Sequence, residues 1–181
     1  MNQLRIIVSS TRPGRIGPKV ADWVAAQAPA AEWEVQLLDL SDLPFLDEEE
    51  HPKQGRYALP HTQRWAREVF ESDAIVVVTP QYNRSFPAPI KNAIDMLFAE
   101  WDGKPIAVVG YGWSGAMDAA ADLTKVLTHV KADVVGSTGL IFTKDLTPEG
   151  ELTTTDERAA ELAELLGALS TRLRERQAVT A

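Results

Sequence analysis

Five short apolar runs constrain this chain more than any other feature. They span residues 4–8, 35–40, 74–79, 106–110 and 134–141, the last interrupted by Gly136 and Gly139. All are rich in Val, Ile and Leu, and none alternates cleanly with polar residues. A strand with one wet face alternates, whereas a strand covered on both faces does not. Between the runs the apolar spacing becomes helical. Residues 18–28 place Val20, Trp23, Val24 and Ala28 on one face, and 62–71 group Trp65, Val69 and Phe70. Residues 89–99 carry Ile90, Ile94, Leu97 and Phe98, residues 114–130 carry Leu123, Val126, Leu127 and Val130, and 156–177 carry a stripe from Leu162 to Leu173. Strands alternating with helices predict a parallel, doubly wound α/β sheet. No internal repeat or composition break divides it. We expect one domain over residues 1–177 and a frayed tail at 178–181.

Composition narrows the function classes. A 45% hydrophobic content in 181 residues is enough for a sizeable core. The net charge of −8 makes nucleic acid and anionic membrane surfaces poor partners. The chain has no cysteine, which excludes disulfides, thiolate catalysis and Cys-based metal sites. His51, His61 and His129 are scattered without ligand spacing, so no metal is expected. No apolar run reaches the ~18 residues of a membrane span. The first residues run straight into an apolar stretch without a signal-peptide layout, so a cytoplasmic protein is expected. Two stretches read as loops: 41–60, with the acidic run Asp47-Glu48-Glu49-Glu50, and 143–155. The acidic run reads as solvated, with a partner contact as the alternative.

Ligands of such sheets bind at the carboxyl ends of the strands. After the first strand comes Ser9-Ser10-Thr11-Arg12-Pro13-Gly14-Arg15-Ile16-Gly17, then a helix. Hydroxyls, backbone N–H groups, a helix N-terminus and two guanidinium groups suit a terminal phosphate. Neither a Walker loop nor a G-x-G-x-x-G is present there. An ordinary capped turn is the alternative. After the third strand, Thr79-Pro80-Gln81-Tyr82-Asn83-Arg84-Ser85-Phe86-Pro87-Ala88-Pro89 leads into Ile90-Lys91-Asn92-Ala93-Ile94-Asp95. Gln81 and Asn83 can match the edge of a planar heterocycle, and Tyr82 can cover its face. A proline-rich loop with capping side chains is the alternative.

After the fourth strand, Gly110-Tyr111-Gly112-Trp113-Ser114-Gly115 is a literal G-x-G-x-x-G, with Asp133 about 20 residues on. We do not read it as a dinucleotide site, because Asp133 precedes the next strand instead of ending it. The preferred reading is a turn whose backbone meets the edge of the same planar heterocycle, with Gly112, Trp113 and Ser114 nearby. Ser114 with His129 does not make a hydrolase pair, since Ala116 breaks the Gly-x-Ser-x-Gly elbow.

The stretch from Pro80 to Asp95 resembles the Pro-Glu-Tyr-Asn … Leu-Lys-Asn-Ala-Ile-Asp signature of the NADPH-dependent FMN reductase family, which includes quinone, azo-dye and chromate reductases. Ser10, Arg12 and Gly14 match that family's Ser-x-Arg-x-Gly loop. Glu100-Trp101 with Lys104-Pro105, and Tyr111-Gly112 with Ser114-Gly115, also look like it. The resemblance runs roughly from Leu4 to Val130 in order and spacing. It implies a flavodoxin-like five-stranded sheet of order 2-1-3-4-5 with helices on both faces. It places Ser10, Thr11, Arg12, Arg15, Ile16 and Gly17 around an FMN phosphate, and Pro80, Gln81, Tyr82 and Asn83 along the ring. It puts Lys91 and Asp95 on a helix facing another subunit of a homodimer or homotetramer; an intrahelical ion pair is the plainer reading of the two. It implies that NADPH or NADH gives a hydride to FMN and that a small acceptor then takes the electrons: a quinone, free flavin, azo compound or metal oxyanion. No catalytic acid or base is assigned, because the flavin carries the chemistry. A flavodoxin-like electron carrier and a non-catalytic flavin-binding module are the competing classes. Four positions depart from the family pattern. Gln81 replaces Glu, Ala88 replaces Gly, and Gly115-Ala116-Met117-Asp118 replaces Gly-Gly-x-Arg, so Asp118 stands where the family has Arg.

Overall fold

The apolar runs pair in parallel, in the order β2-β1-β3-β4-β5. The computed structural model describes residues 1–180. Along the chain run β1 (Asn2–Val8), α1 (Gly17–Gln27), β2 (Trp33–Asp39), α2 (Pro60–Glu71), β3 (Ala74–Pro80), α3 (Ala88–Asp95), β4 (Pro105–Gly112), α4 (Met117–His129), β5 (Asp133–Ile141) and α5 (Asp156–Thr180). This is the flavodoxin-like order that the family resemblance implies.

Successive strand side chains point to opposite faces, and each face has its own helices. Leu4, Ile6, Val8, Val76, Val78, Ala107 and Val109 pack against Val20, Trp23 and Val24 of α1 and Leu162, Leu166 and Leu169 of α5. Ile7, Ile75, Val77, Ile106 and Val108 pack against Trp65 and Val69 of α2, Ile90 and Ile94 of α3, and Leu123 and Leu127 of α4. Central β3 is buried throughout. The expectation of strands covered on both faces fails at the edges. In β2, Glu34, Gln36 and Leu37 are exposed, and most of β5 is half-buried, because each edge strand has one neighbour and partial helix cover.

Several boundaries and faces also differ from the sequence reading. Phe70 is exposed, not grouped with Trp65 and Val69. Trp65 instead meets Trp101 (ring centroids 6.2 Å apart) and donates its indole N–H to the Ala93 carbonyl at 2.8 Å. α3 stops at Asp95, and a 3-10 turn at Ala99–Trp101 follows. α4 begins at Met117, not Ser114, because Gly112, Gly115 and Ala116 have φ of +145°, +63° and +57°, which no right-handed helix contains. Helix α5 continues to Thr180, so residues 178–180 are helical where a tail was expected; Ala181 lies outside the described residues. In the acidic loop, Glu48 turns toward α2 and accepts the Ala58 and Leu59 N–H groups, both at 2.9 Å. Burial works against it, but those donors hold its carboxyl below the ordinary value.

Candidate functional site

The carboxyl ends of β1, β3 and β4 open onto one pocket of about 340 Å³. The loops after those strands, and the one after β5, build its walls. At one end, β1 gives way to the Ser9–Gly17 turn. The Arg15 N–H closes on the Arg12 carbonyl at 3.1 Å, with Gly14 at φ +72° between them. Helix α1 then starts behind Ile16 with no side-chain cap and no acid in its first turn. Its first N–H groups, which no intrahelical acceptor can satisfy, are therefore left for a ligand.

The side chains of this turn fit an anion. Arg12 is exposed and lines the pocket, and its guanidinium has no hydrogen bond or ion pair among the described residues. Ser9 Oγ is buried without a partner. Ser10 is fully buried and accepts the Tyr111 hydroxyl at 3.1 Å, which leaves its own proton to donate. Burial pushes the Tyr111 phenol up to about 12, so it remains a donor at neutral pH. Gly17 lies so close that an added Cβ would stand 2.5 Å from Ser10 Oγ and 2.9 Å from the Tyr111 oxygen. Arg15 is less free than Arg12. Its guanidinium meets the Asp39 carboxylate, at the end of β2, at 2.6 Å. Burial raises Asp39, but the Ser41 N–H and Arg15 outweigh it and hold its carboxyl below the ordinary carboxylate range.

The other end is more aromatic. Pro80, Gln81, Tyr82 and Asn83 line one side, and Tyr111, Gly112, Trp113 and Ser114 another. Trp113 is exposed and meets Phe142 edge-to-face, with centroids 5.3 Å apart. The Gln81 side chain is turned toward α4: its oxygen accepts the Ala119 N–H at 3.3 Å and its amide donates to Asp118 at 3.2 Å. What Gln81 offers the pocket is therefore mainly backbone.

Most of the residues that the sequence nominates thus share one cavity. Arg12, Arg15, Ile16, Pro80, Gln81, Tyr82, Asn83, Gly112, Trp113 and Ser114 line it, while Ser10, Thr11 and Gly17 sit in the turn behind it. Sequence reasoning missed Arg84, Tyr111, Phe142 and Pro148. The last two come from the β5–α5 connection, whose polar, turn-rich composition signals only a loop. That loop is held by Asp145, fully buried, which accepts the Ile141 N–H at 2.8 Å and faces Arg158 at 3.5 Å. Gly150 (φ +82°) lies against Ile16 and Lys19 at the start of α1.

The glycine fingerprint, whose first three residues end β4, has a packing role. Gly110 and Gly139 are register partners on β4 and β5. An added Cβ on either would stand 2.2 Å or 2.1 Å from the Gly115 carbonyl oxygen. The glycines let this loop lie flat on the sheet edge. Ser114 lies in the turn before α4 and His129 ends that helix, about 20 Å of helix away, so they make no pair. His61 pairs with Asp47 at 2.9 Å and is not among the pocket residues. Among the described residues, no group of three or more His, Asp or Glu side chains is placed to hold a metal. No helix there is long and apolar enough to cross a membrane.

Comparison with known proteins fits this geometry. Residues 3–147 match the model of the family described as NADPH-dependent FMN reductase. The chain is 34% identical over 169 residues to an NAD(P)H-dependent FMN reductase of Schizosaccharomyces pombe, covering 90% of this chain and 84% of that one. It is 32% identical over 140 residues to a quinone reductase of Escherichia coli, covering 74% and 73%. Among solved structures it is similar to the flavoenzyme NAD(P)H:(acceptor) oxidoreductase of Paracoccus denitrificans, with a TM-score of 0.70, 29% identity and 96% of each chain covered.

Proposed function

The chain belongs to the NADPH-dependent FMN reductase family, and from that premise we propose that it oxidises NADPH or NADH and passes the electrons to a small planar acceptor of the quinone class. It is an oxidoreductase that uses FMN, with a nicotinamide nucleotide as reductant. The observation that carries the proposal is the two-ended pocket. One end is an uncapped helix start beside an unpaired Arg12; the other is walled by Tyr82, Trp113 and Phe142. A monophosphate suits the first end and a flat ring the second.

The fit can be assigned residue by residue. Ser10, Thr11, Arg12 and the first N–H groups of α1 hold the phosphate, with Ile16 and Gly17 shaping the turn. Arg15, tied to Asp39, supports the same end. Pro80 to Asn83 and Gly112 to Ser114 lie along the ring. Bound FMN supplies two-electron redox chemistry. The protein's part would be to hold the phosphate and the ring with these loops, at a pocket mouth where nicotinamide and acceptor would enter in turn beside exposed Tyr82 and Trp113.

We further assign the α3 surface to contact with a second copy in a homodimer or homotetramer. Lys91 and Asp95 form an exposed i,i+4 pair there at 2.6 Å, beside a groove lined by Phe86, Lys125, Val126 and His129.

The test is turnover of purified holoprotein with NADPH or NADH and a benzoquinone. We expect quinone-dependent nucleotide oxidation that is lost when FMN is stripped and regained when FMN is restored. Activity independent of FMN would contradict the proposal.

A further inference from the structure

Arg84 is the one pocket arginine that the FMN assignment leaves without a task. Three arginines line the pocket, and no Asp or Glu lines it, in a chain of net charge −8. Arg12 belongs to the phosphate turn and Arg15 is engaged by Asp39. Arg84 is at the ring end, with an 84% exposed side chain.

Its backbone is held in an uncommon shape. Asn83 and Arg84 have φ of +49° and +68°. Tyr82 and Ser85 exchange both backbone hydrogen bonds around them, at 2.8 and 3.0 Å. That is a tight turn of the I′ kind, which favours Asn first and Gly second. Here an arginine occupies the glycine position. A strained, long, charged residue at a site mouth invites a functional reading, since Gly or Asn would make the turn with less strain.

The first turns of α4 grip this loop. Asp118 meets the Arg84 guanidinium at 3.2 Å and also accepts the Gln81 amide at 3.2 Å. Asp122, one helical turn on, accepts the Ser85 hydroxyl at 2.7 Å. Two of the departures from the family pattern therefore meet: Gln in place of Glu at 81 removes an acid beside Asp118, and Asp in place of Arg at 118 supplies a partner for Arg84. A carboxylate at 81 would repel Asp118 at this distance.

We propose that Arg84 binds a phosphate group of the nicotinamide nucleotide, with Asp118 as the residue that positions it. This rests on the reductase reading above. The nucleotide carries a pyrophosphate in both forms and a 2′-phosphate in NADPH alone. An exposed guanidinium suits either, by charge-assisted and bidentate contact.

The test compares wild-type, Arg84→Ala and Arg84→Lys holoprotein. Binding of NADP⁺ and NAD⁺ is measured by calorimetry, and KM and kcat with NADPH and NADH by steady-state kinetics. In Arg84→Ala we expect Kd and KM to rise about tenfold to a hundredfold, the scale of a lost hydrogen bond to a charged group. We expect kcat and FMN affinity to stay within about twofold. Arg84→Lys recovers part of the loss. A loss confined to NADP⁺ and NADPH assigns the 2′-phosphate; an equal loss with both nucleotides assigns the pyrophosphate. Asp118→Asn weakens nucleotide binding in the wild type and adds nothing in the Arg84→Ala background. Unchanged Kd and KM for both nucleotides in Arg84→Ala overturn the proposal, and an undiminished Asp118→Asn effect in that background overturns the positioning role. If Arg84→Ala fails to fold, Arg84→Gln takes its place: nucleotide binding by wild type must weaken more steeply with rising ionic strength than binding by Arg84→Gln, and equal slopes overturn the proposal. A wild type that oxidises neither nucleotide counts against the proposed function, while the calorimetry still decides Arg84.

Discussion

Tyr111, on β4, donates its hydroxyl to Ser10 Oγ across 3.1 Å, joining the ring end of the pocket to its phosphate end. The bond is fully inside the protein, and Gly17 closes the same corner. Removing one hydroxyl of a buried neutral pair costs about 0.5–1.5 kcal/mol. Tyr111→Phe is therefore expected to lower stability by that amount in urea unfolding. It also frees Ser10 to rotate, so FMN affinity falls several-fold. Unchanged affinity would separate Ser10 from the phosphate site.

Arg12 and Arg15 are predicted to differ. The Arg12 guanidinium has no partner among the described residues, whereas that of Arg15 pairs with Asp39 at 2.6 Å. Arg12→Ala should weaken FMN binding by about 1.5–3 kcal/mol, the range for a hydrogen bond to a charged group. Arg15→Ala should cost less affinity. Flavin titration of the two apoproteins checks the order, and a reversed order would reassign the anchor.

Gly17 and Gly139 are predicted to tolerate no side chain, for different reasons. Gly17→Ala drives a methyl into the Ser10 and Tyr111 hydroxyls. Gly139→Ala drives one into the Gly115 carbonyl. Overpacking of this kind costs about 1–3 kcal/mol. Gly17→Ala should also reduce FMN affinity, because the phosphate turn must shift. Thermal unfolding with and without FMN separates the two effects.

Lys104 sets a pH dependence of stability. It is buried, with its ammonium donating to the Phe70 and Ser72 carbonyls at the end of α2. Burial, reinforced by nearby Arg176, pushes it down to about 8 from 10.5. The unfolded chain therefore binds more protons between those values, and stability from this group rises with pH across them. It is fully present above about 10.5 and lost as pH falls toward 8. Lys104→Met should flatten that rise in urea midpoints measured from pH 8 to 10.5; an unaltered slope would contradict it.

Much of this was legible in the sequence, and the rest has physical reasons. Continuous apolar runs show central strands, but they do not show edges: β2 carries the same Val and Leu with one flank open. Positive-φ residues blurred the α4 start, because Ala116 is a good helix former held in a left-handed cap. The turn proposed to hold the phosphate stands out in the sequence because its chemistry is local, concentrated in Ser10 to Gly17. Phe142 and Pro148 do not, because only tertiary folding of the β5–α5 loop brings them to the pocket. Gln81 was seen as a departure, but its link to Asp118 spans 37 residues and needed the structure.

The central claim is that this pocket holds FMN and lets a nicotinamide nucleotide reduce it. Anaerobic stopped-flow mixing of the purified holoprotein with NADPH, and separately NADH, tests it most directly. The account predicts that at least one nucleotide bleaches the flavin absorbance, one nucleotide oxidised per FMN, at a rate sufficient for turnover. Protein that binds no FMN, or FMN that neither nucleotide bleaches, would contradict it.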